Sequence, residues 1–165
     1  MDLEKFAADM MKMGQGACLG FAKENREFIP TLVILAKDGI SPVPFPHYAR
    51  DRAFHIGLIK NVLAGCDADA FAFVMEVWYS EHSTKGQKTP IKTEDFPLPS
   101  KDPNRKEALV VQCSSRDGGD IVLIAEIKRH GHKVSFKDVI DMTDKELGRG
   151  AMSLMSNMFG RETMN

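Results

Sequence analysis

Apolar residues recur every three or four positions through the first 24 residues of the chain. This stripe predicts an amphipathic helix over residues 3–24 and comprises Leu3, Phe6, Ala7, Met10, Met13, Ala17 and Phe21. Glycines at positions 14, 16 and 20 interrupt it, and each costs about 1 kcal/mol relative to alanine in a helix. We therefore expect this helix to pack closely against another element at its glycines.

The next segment changes to short apolar runs. Residues 31–36, TLVILA, form a continuous run typical of a buried strand, and Lys37-Asp38-Gly39 follows it as a turn. Prolines within residues 40–45 restrict that run to an edge strand or an extended arm, because proline cannot donate to a strand ladder. A second helix is predicted from about residue 51 to 64.

The clearest strand covers residues 70–80, where side chains alternate between the two faces of a sheet. Residues 107–115 and 120–128 then flank Arg116-Asp117-Gly118-Gly119, which predicts a β-hairpin. A turn at the two glycines would place Glu126 opposite Val111. Residues 133–136, after the His130-Gly131-His132 turn, are a candidate for one additional short edge strand.

Two segments have no strand pattern. Residues 81–106 form a long proline-rich loop, and a loop of this length inside a compact domain is usually functional or disordered. A last helix is predicted from Thr143, whose partner Glu146 completes a capping box. Methionines and an aromatic residue make its apolar side wide enough to bind a partner, and the candidate contact residues are Met152, Met155 and Phe159.

These elements assemble into a single α+β domain spanning residues 1–165, in the order αββαβββα. The helices and strands do not alternate regularly, so a doubly wound parallel sheet is disfavoured. We expect a largely antiparallel five-stranded sheet with helices packed mainly on one face.

Composition and charge exclude several classes of function. The net charge of −1 gives no overall attraction to nucleic acid or to an anionic membrane. Three widely spaced cysteines match neither a disulfide framework nor a zinc site, and we expect them to be buried in a reducing compartment. The chain has no signal-peptide pattern and no membrane-length apolar run, which predicts a cytoplasmic protein. No cofactor motif is present, and we expect no bound metal.

One strand ends in the motif Glu126-Ile-Lys128, which metal-dependent nucleases use to hold Mg²⁺ and position water. Glu76 is the only reasonable second acid, provided that its strand lies beside Glu126. Short E-x-K motifs also arise by chance in half-buried strands. We therefore keep a nuclease or phosphodiesterase using Glu76, Glu126 and Lys128 as the alternative function.

Basic residues cluster around the turn at residues 128–133. Two histidines, His130 and His132, lack a third ligand at metal-binding spacing, and their basic neighbours Lys128 and Arg129 would repel a cation. This tip is better suited to contact phosphate or an acidic partner. A weak nucleic-acid binder acting through residues 128–133 is a further alternative.

Residues 71–115 resemble small bacterial and phage proteins in which a strand F-V-x-E-x-W precedes a proline-bearing loop and P-x-R-x-E-A-L. Here these motifs are residues 73–78 and 103–109. The resemblance implies no activity. In such a pattern Glu76 and Arg105 are placed to form an ion pair that holds the loop.

The sequence as a whole favours a non-enzymatic binding or accessory protein of bacterial or phage type, which contacts a protein partner or a second copy of itself. We expect a sheet face bearing Glu76, Trp78, Glu126 and Lys128 to carry part of that contact. Aromatic anchors such as Trp78 commonly carry interface energy.

Overall fold

The computed structural model describes residues 1–46, 48, 50–79 and 102–143. Its elements begin with helix α1 and include a second helix and seven strands. In chain order they are α1 (Leu3–Lys23), β1 (Thr31–Ala36), β2 (Gly39–Pro44), α2 (Arg52–Gly65), β3 (Ala70–Tyr79), β4 (Lys106–Ser115), β5 (Asp120–His130), β6 (Lys133–Phe136) and β7 (Ile140–Asp141).

The strands form one antiparallel sheet in the order β2-β1-β3-β4-β5-β6, with β7 also paired to β5. The predicted α+β class is therefore confirmed. The sheet has seven strands rather than five, because residues after the β5–β6 turn return along the outer edge of β5. They form β6 beside residues 127–130 and β7 beside residues 123–124.

The expectation that helices cover mainly one face is wrong, because α1 and α2 pack on opposite faces of the sheet. The α1 face contains Val74, Leu109 and Ala125, which are buried with α1. The opposite face, which we call the α2 face, includes Phe71 and Phe73, buried with α2. Strands β1, β3 and β4 are apolar on both faces, so each face requires its own cover.

Close packing explains one of the three helical glycines. A Cβ atom at Gly14 would lie 2.7 Å from Val74 Cγ1 and 3.1 Å from a Leu109 methyl carbon, so the α1 backbone approaches the sheet here. Gly16 and Gly20 would meet nothing within 4 Å. The predicted close contact is therefore confirmed at Gly14 and is wrong at the other two glycines.

The β4–β5 register differs from the prediction by three residues. Glu126 lies opposite Ala108 rather than Val111. The turn is longer than two glycines, because Ser115 N donates to Gly119 O at 3.1 Å around residues 116–118. Arg116 holds this turn against the residues before β3: its backbone N donates to Asp69 O at 2.8 Å and its Nε to Ala68 O at 2.9 Å.

Strand β2 lies at one edge of the sheet, as its prolines predicted. Phe45 N donates to Pro30 O at 2.7 Å, so the odd-numbered residues of this segment point their N–H groups toward β1. The even-numbered residues therefore point their nitrogens away from the sheet. Two of these, Pro42 and Pro44, have no N–H group to donate to another strand.

Several predictions fall outside the described residues. Most of the predicted loop, residues 81–101, and the predicted C-terminal helix beyond Thr143 belong to this category, as do Met152, Met155 and Phe159. At the end of the loop, Asp102 caps a turn by accepting from Asn104 N at 2.8 Å. Neither helix in the described part of the chain has the length and apolar character needed to cross a membrane.

Candidate functional site: two polar surfaces at one end of the sheet

Glu76 and Glu126 lie on opposite faces of the sheet, which corrects the expectation that they share one. Glu76 is paired with Leu109, on the α1 face, whereas Glu126 is paired with Ala108, on the α2 face. The physical cause is the three-residue change in the β4–β5 register. A shift by an odd number of residues moves every side chain of a strand to the other face.

This arrangement removes the geometric basis of the nuclease hypothesis. Carboxylates that share a metal ion have to approach it to about 2.0–2.6 Å, which two residues on opposite faces cannot do. Among the described residues, no group of three or more histidine, cysteine, aspartate or glutamate side chains is arranged to hold a metal ion.

A different set of acids converges on the α1 face. Arg129 Nη2 donates to Glu76 Oε1 at 2.9 Å and to Glu107 Oε1 at 2.8 Å, while Arg129 Nε donates to Glu107 Oε2 at 2.8 Å. Cys18 Sγ on α1 donates to Glu76 Oε1 at 3.0 Å. We call these four residues the Arg129 network; it links α1 to β3, β4 and β5.

The network is only partly open to solvent. The side chains of Glu76, Glu107 and Arg129 are 20%, 15% and 36% exposed. Burial raises the pKa of Glu76, against the opposing hydrogen bond from Cys18 and the charge of Arg129. Burial and the contact with Glu76 raise the pKa of the Cys18 thiol to about 12, so this thiol is a donor and not a nucleophile at neutral pH. The bidentate contact with Glu107 raises the pKa of Arg129.

Trp78 lies beside this network, and its side chain is half exposed. It is paired with Glu107 across β3 and β4. The Arg105 guanidinium lies over the indole ring, 4.7 Å from the ring centroid. The predicted partner of Glu76 was Arg105, but the structure pairs Glu76 with Arg129 and places Arg105 on the tryptophan instead.

The α2 face carries a second polar group at the same end of the sheet. Glu126 forms ion pairs with Lys128 and with Lys137, the latter at 2.9 Å, and Tyr79 Oη donates to Glu126 Oε2 at 3.5 Å. The Glu126 side chain is 10% exposed. Hydrogen bonds from the two lysines hold the pKa of Glu126 down at about 2, so it is ionised at neutral pH.

The predicted basic tip is partly neutralised. Lys128 is paired with Glu126, and Arg129 with two carboxylates. His130, His132 and Lys133 are exposed at the turn. Positive charge therefore remains at the tip, but less of it than the sequence of residues 128–133 indicates, because two of its basic side chains are paired with carboxylates.

Sequence reasoning missed Glu107, Arg129 and Lys137 as partners of the two candidate acids. Glu107 is adjacent along β4 to Ala108, the partner of Glu126, but its side chain lies on the other face, with Glu76. The position of Glu107 directly opposite Trp78 in the β3–β4 pair, and so on the same face as Glu76, was the signal that could have identified it. It required the strand order and the register, which local patterns do not contain.

The cysteines also divide into two kinds. Cys18 and Cys113 are buried as expected, and burial raises the pKa of Cys113 to about 12. Cys66 is exposed at the end of α2, which corrects the expectation that every cysteine is buried. All three are free thiols.

Comparisons with known protein families, with curated proteins and with solved structures found no match to this chain. Its function has to be inferred from the geometry of its own residues.

Proposed function

We propose that this chain is a non-enzymatic binding protein that contacts a protein partner through the Trp78 surface, which consists of Trp78, Arg105 and the Arg129 network beneath them. The observation that carries the proposal is the half-exposed indole of Trp78, held next to a network of partly exposed charges. A second copy of the chain is the alternative partner of the same surface.

The physical argument begins with the indole. An exposed tryptophan offers a large apolar area with few rotatable bonds, so it loses little entropy when a partner covers it. Arg105 restricts the ring further by stacking on it. Tryptophan and arginine are the residue types most enriched among those that dominate binding energy.

The Arg129 network supplies a rigid base for this surface. Its hydrogen bonds connect one helix and three strands, so the backbone at Trp78 is fixed from several directions. Both oxygens of Glu107 accept from Arg129, and Glu76 Oε1 accepts from Arg129 and Cys18. These contacts favour a structural role for the acids and leave the indole as the group available to a partner.

The resemblance at residues 71–115 and the three free thiols support a bacterial or phage protein acting in a reducing compartment, the cytoplasm. We therefore propose that the protein acts in the cytoplasm.

The test uses photo-crosslinking in the source cells, followed by measurement with the purified partner. A crosslinker at Asn104, an exposed residue of the turn before Arg105, should capture a protein that the same group at Asn61 on α2 does not. With that protein purified, Trp78→Ala should weaken binding by about tenfold or more, as expected for an anchor residue. Phe54→Ala, which removes another exposed aromatic side chain, should leave affinity unchanged.

Equal loss of affinity in both variants, or an affinity that Trp78→Ala does not change, would refute the role of this surface. The enzymatic alternative has its own assay. Cleavage of DNA or RNA in Mg²⁺ or Mn²⁺ that disappears in Glu126→Gln, with the fold retained, would show that the protein is an enzyme and overturn the proposal.

A further inference from the structure

The two edges of the sheet differ in their capacity to accept another strand. The β2 edge has prolines at two of its outward positions and cannot donate there. The β6 edge is different. Lys137 N donates to Glu126 O at 2.9 Å, so the odd-numbered residues of this segment face β5.

The backbone groups of Val134 and Phe136 therefore point away from the sheet. In the part of the chain that the structure describes, no strand pairs with β6 on this outer side. Neither residue is a proline, so both N–H groups and both carbonyls are placed to join a strand ladder.

Side chains along β6 alternate in chemistry as well as in direction. Val134 and Phe136 are partly buried against the core on the α1 face. Lys133 and Ser135 are exposed on the α2 face, beside Lys128 and near Lys137. Of the three lysines on this side, Lys128 and Lys137 both pair with one carboxylate, Glu126, and Lys133 lies opposite His130, which leaves an excess of positive charge.

We infer that the β6 edge accepts an extended acidic segment of a partner protein as an additional antiparallel or parallel strand. Its acidic side chains would face Lys133 and Lys137, and its alternate apolar side chains would continue the row of Val134 and Phe136. The inference rests on the proposed function in one respect, that the partner is a protein. It uses a surface about three strand spacings, roughly 14 Å, from Trp78.

Charge also distinguishes this occupant from a second copy. In a twofold antiparallel pairing of two β6 strands centred on Ser135, Lys133 of each copy would lie opposite Lys137 of the other. Like charges placed directly opposite each other destabilise a strand pair, and edge lysines are a common means of preventing self-association. An acidic strand gains from the same residues.

The experiment measures binding of a fluorescein-labelled ten-residue peptide of alternating glutamate and valine by fluorescence anisotropy at low salt. A lysine–valine peptide of the same length is the control and should bind at least tenfold more weakly. Val134→Pro removes an outward N–H group without touching the β5–β6 ladder, and should weaken binding about tenfold. Val134→Ala keeps that N–H group and should stay within about threefold of the wild type. Lys133→Glu should reduce affinity about fivefold, and added salt should reduce it further.

Amide hydrogen exchange of the unmodified protein provides a second measurement in case Val134→Pro does not fold. Val134 and Phe136 should become protected when the glutamate–valine peptide is added, whereas Ile40 on the opposite edge should not. Unchanged exchange at both residues would overturn the inference.

Other occupants give different results. Peptide binding that Lys133→Glu weakens but Val134→Pro does not would show a charged surface without strand addition. Displacement of the peptide by an equal concentration of a single-stranded oligonucleotide would indicate an anion site, and a dimer in sedimentation that Val134→Pro dissociates would indicate a second copy. Each of these overturns the inference while leaving the Trp78 test unaffected.

Discussion

Replacing Arg129 with methionine tests the charge balance of the Arg129 network. Methionine retains much of the length of arginine, so the main loss is the positive charge and its hydrogen bonds. Glu76 Oε1 and Glu107 Oε1 both accept from the same nitrogen, at 2.9 and 2.8 Å, so these oxygens lie within about 6 Å of each other. Without the guanidinium, two partly buried carboxylates face each other unneutralised.

The expected cost follows from this distance. Two unit charges about 5 Å apart repel by roughly 3 kcal/mol at an effective dielectric constant near 20. Solvent reaches Arg129, whose side chain is 36% exposed, and the carboxylates can relax apart. We therefore expect Arg129→Met to lower the free energy of unfolding by about 2 kcal/mol at pH 7.5, less than the roughly 3–5 kcal/mol for a fully buried pair, because this network is partly open to solvent.

The loss should depend on pH in a defined direction. Burial already raises the pKa of Glu76 above its ordinary value of 4.5, and removal of Arg129 raises it further. A carboxyl group whose pKa is higher in the folded state destabilises the fold above that pKa and is relieved when it is protonated. The deficit should therefore be largest at neutral pH and shrink as the pH falls toward 4.5.

Urea denaturation followed by circular dichroism, at several pH values between 4.5 and 7.5, measures this deficit. Arg129→Met combined with Glu76→Gln should recover about half of the lost stability, because only one carboxylate is then left without a partner. A deficit that is the same at every pH would show that Arg129 acts through packing of its aliphatic chain. A deficit below about 0.5 kcal/mol would place the network among solvated surface ion pairs and refute the reasoning.

Three further predictions concern other parts of the chain. Gly14→Ala should destabilise the protein by about 1–2 kcal/mol in urea denaturation, since its Cβ would meet Val74 Cγ1 at 2.7 Å. Gly16→Ala should instead stabilise the protein by about 0.5–1 kcal/mol through helix propensity, and a stability change of the same sign in both variants would contradict the packing of α1. Glu126 has a pKa of about 2, below its ordinary 4.5, so its contribution to stability is present above pH 4.5 and is lost as the pH falls toward 2. Glu126→Gln should lower the free energy of unfolding by about 1 kcal/mol at pH 7, and this difference from the wild type should vanish when both proteins are titrated with acid. Cys66 should react with a maleimide at pH 7 while Cys18 stays unmodified in the folded protein. Mass spectrometry of the labelled peptides measures both reactions, and rapid labelling of Cys18 would contradict its burial.

Local patterns determined most of the elements. The three- and four-residue spacing of apolar side chains predicted α1 within one residue of its observed end, and the apolar run TLVILA predicted β1 at its observed bounds. Alternation predicted which side chains of β3 share a face, and the prolines of β2 predicted an edge strand. These features depend on backbone periods of 3.6 and 2 residues and on the missing N–H group of proline, which are properties of short segments.

Tertiary structure alone decided the register of β4 and β5, and with it the composition of both polar surfaces. Arg116 anchors the turn to the carbonyl of Ala68, a residue 48 positions earlier in the chain. The turn is longer than the two glycines, and the resulting register places Glu126 on the face opposite Glu76. The side of the sheet that each helix covers, the convergence of Glu107 and Arg129, and, among the described residues, the unpaired outer edge of β6 are likewise properties of the assembled sheet. A strand's pattern specifies which residues share a face, but only its neighbour in space specifies which face that is.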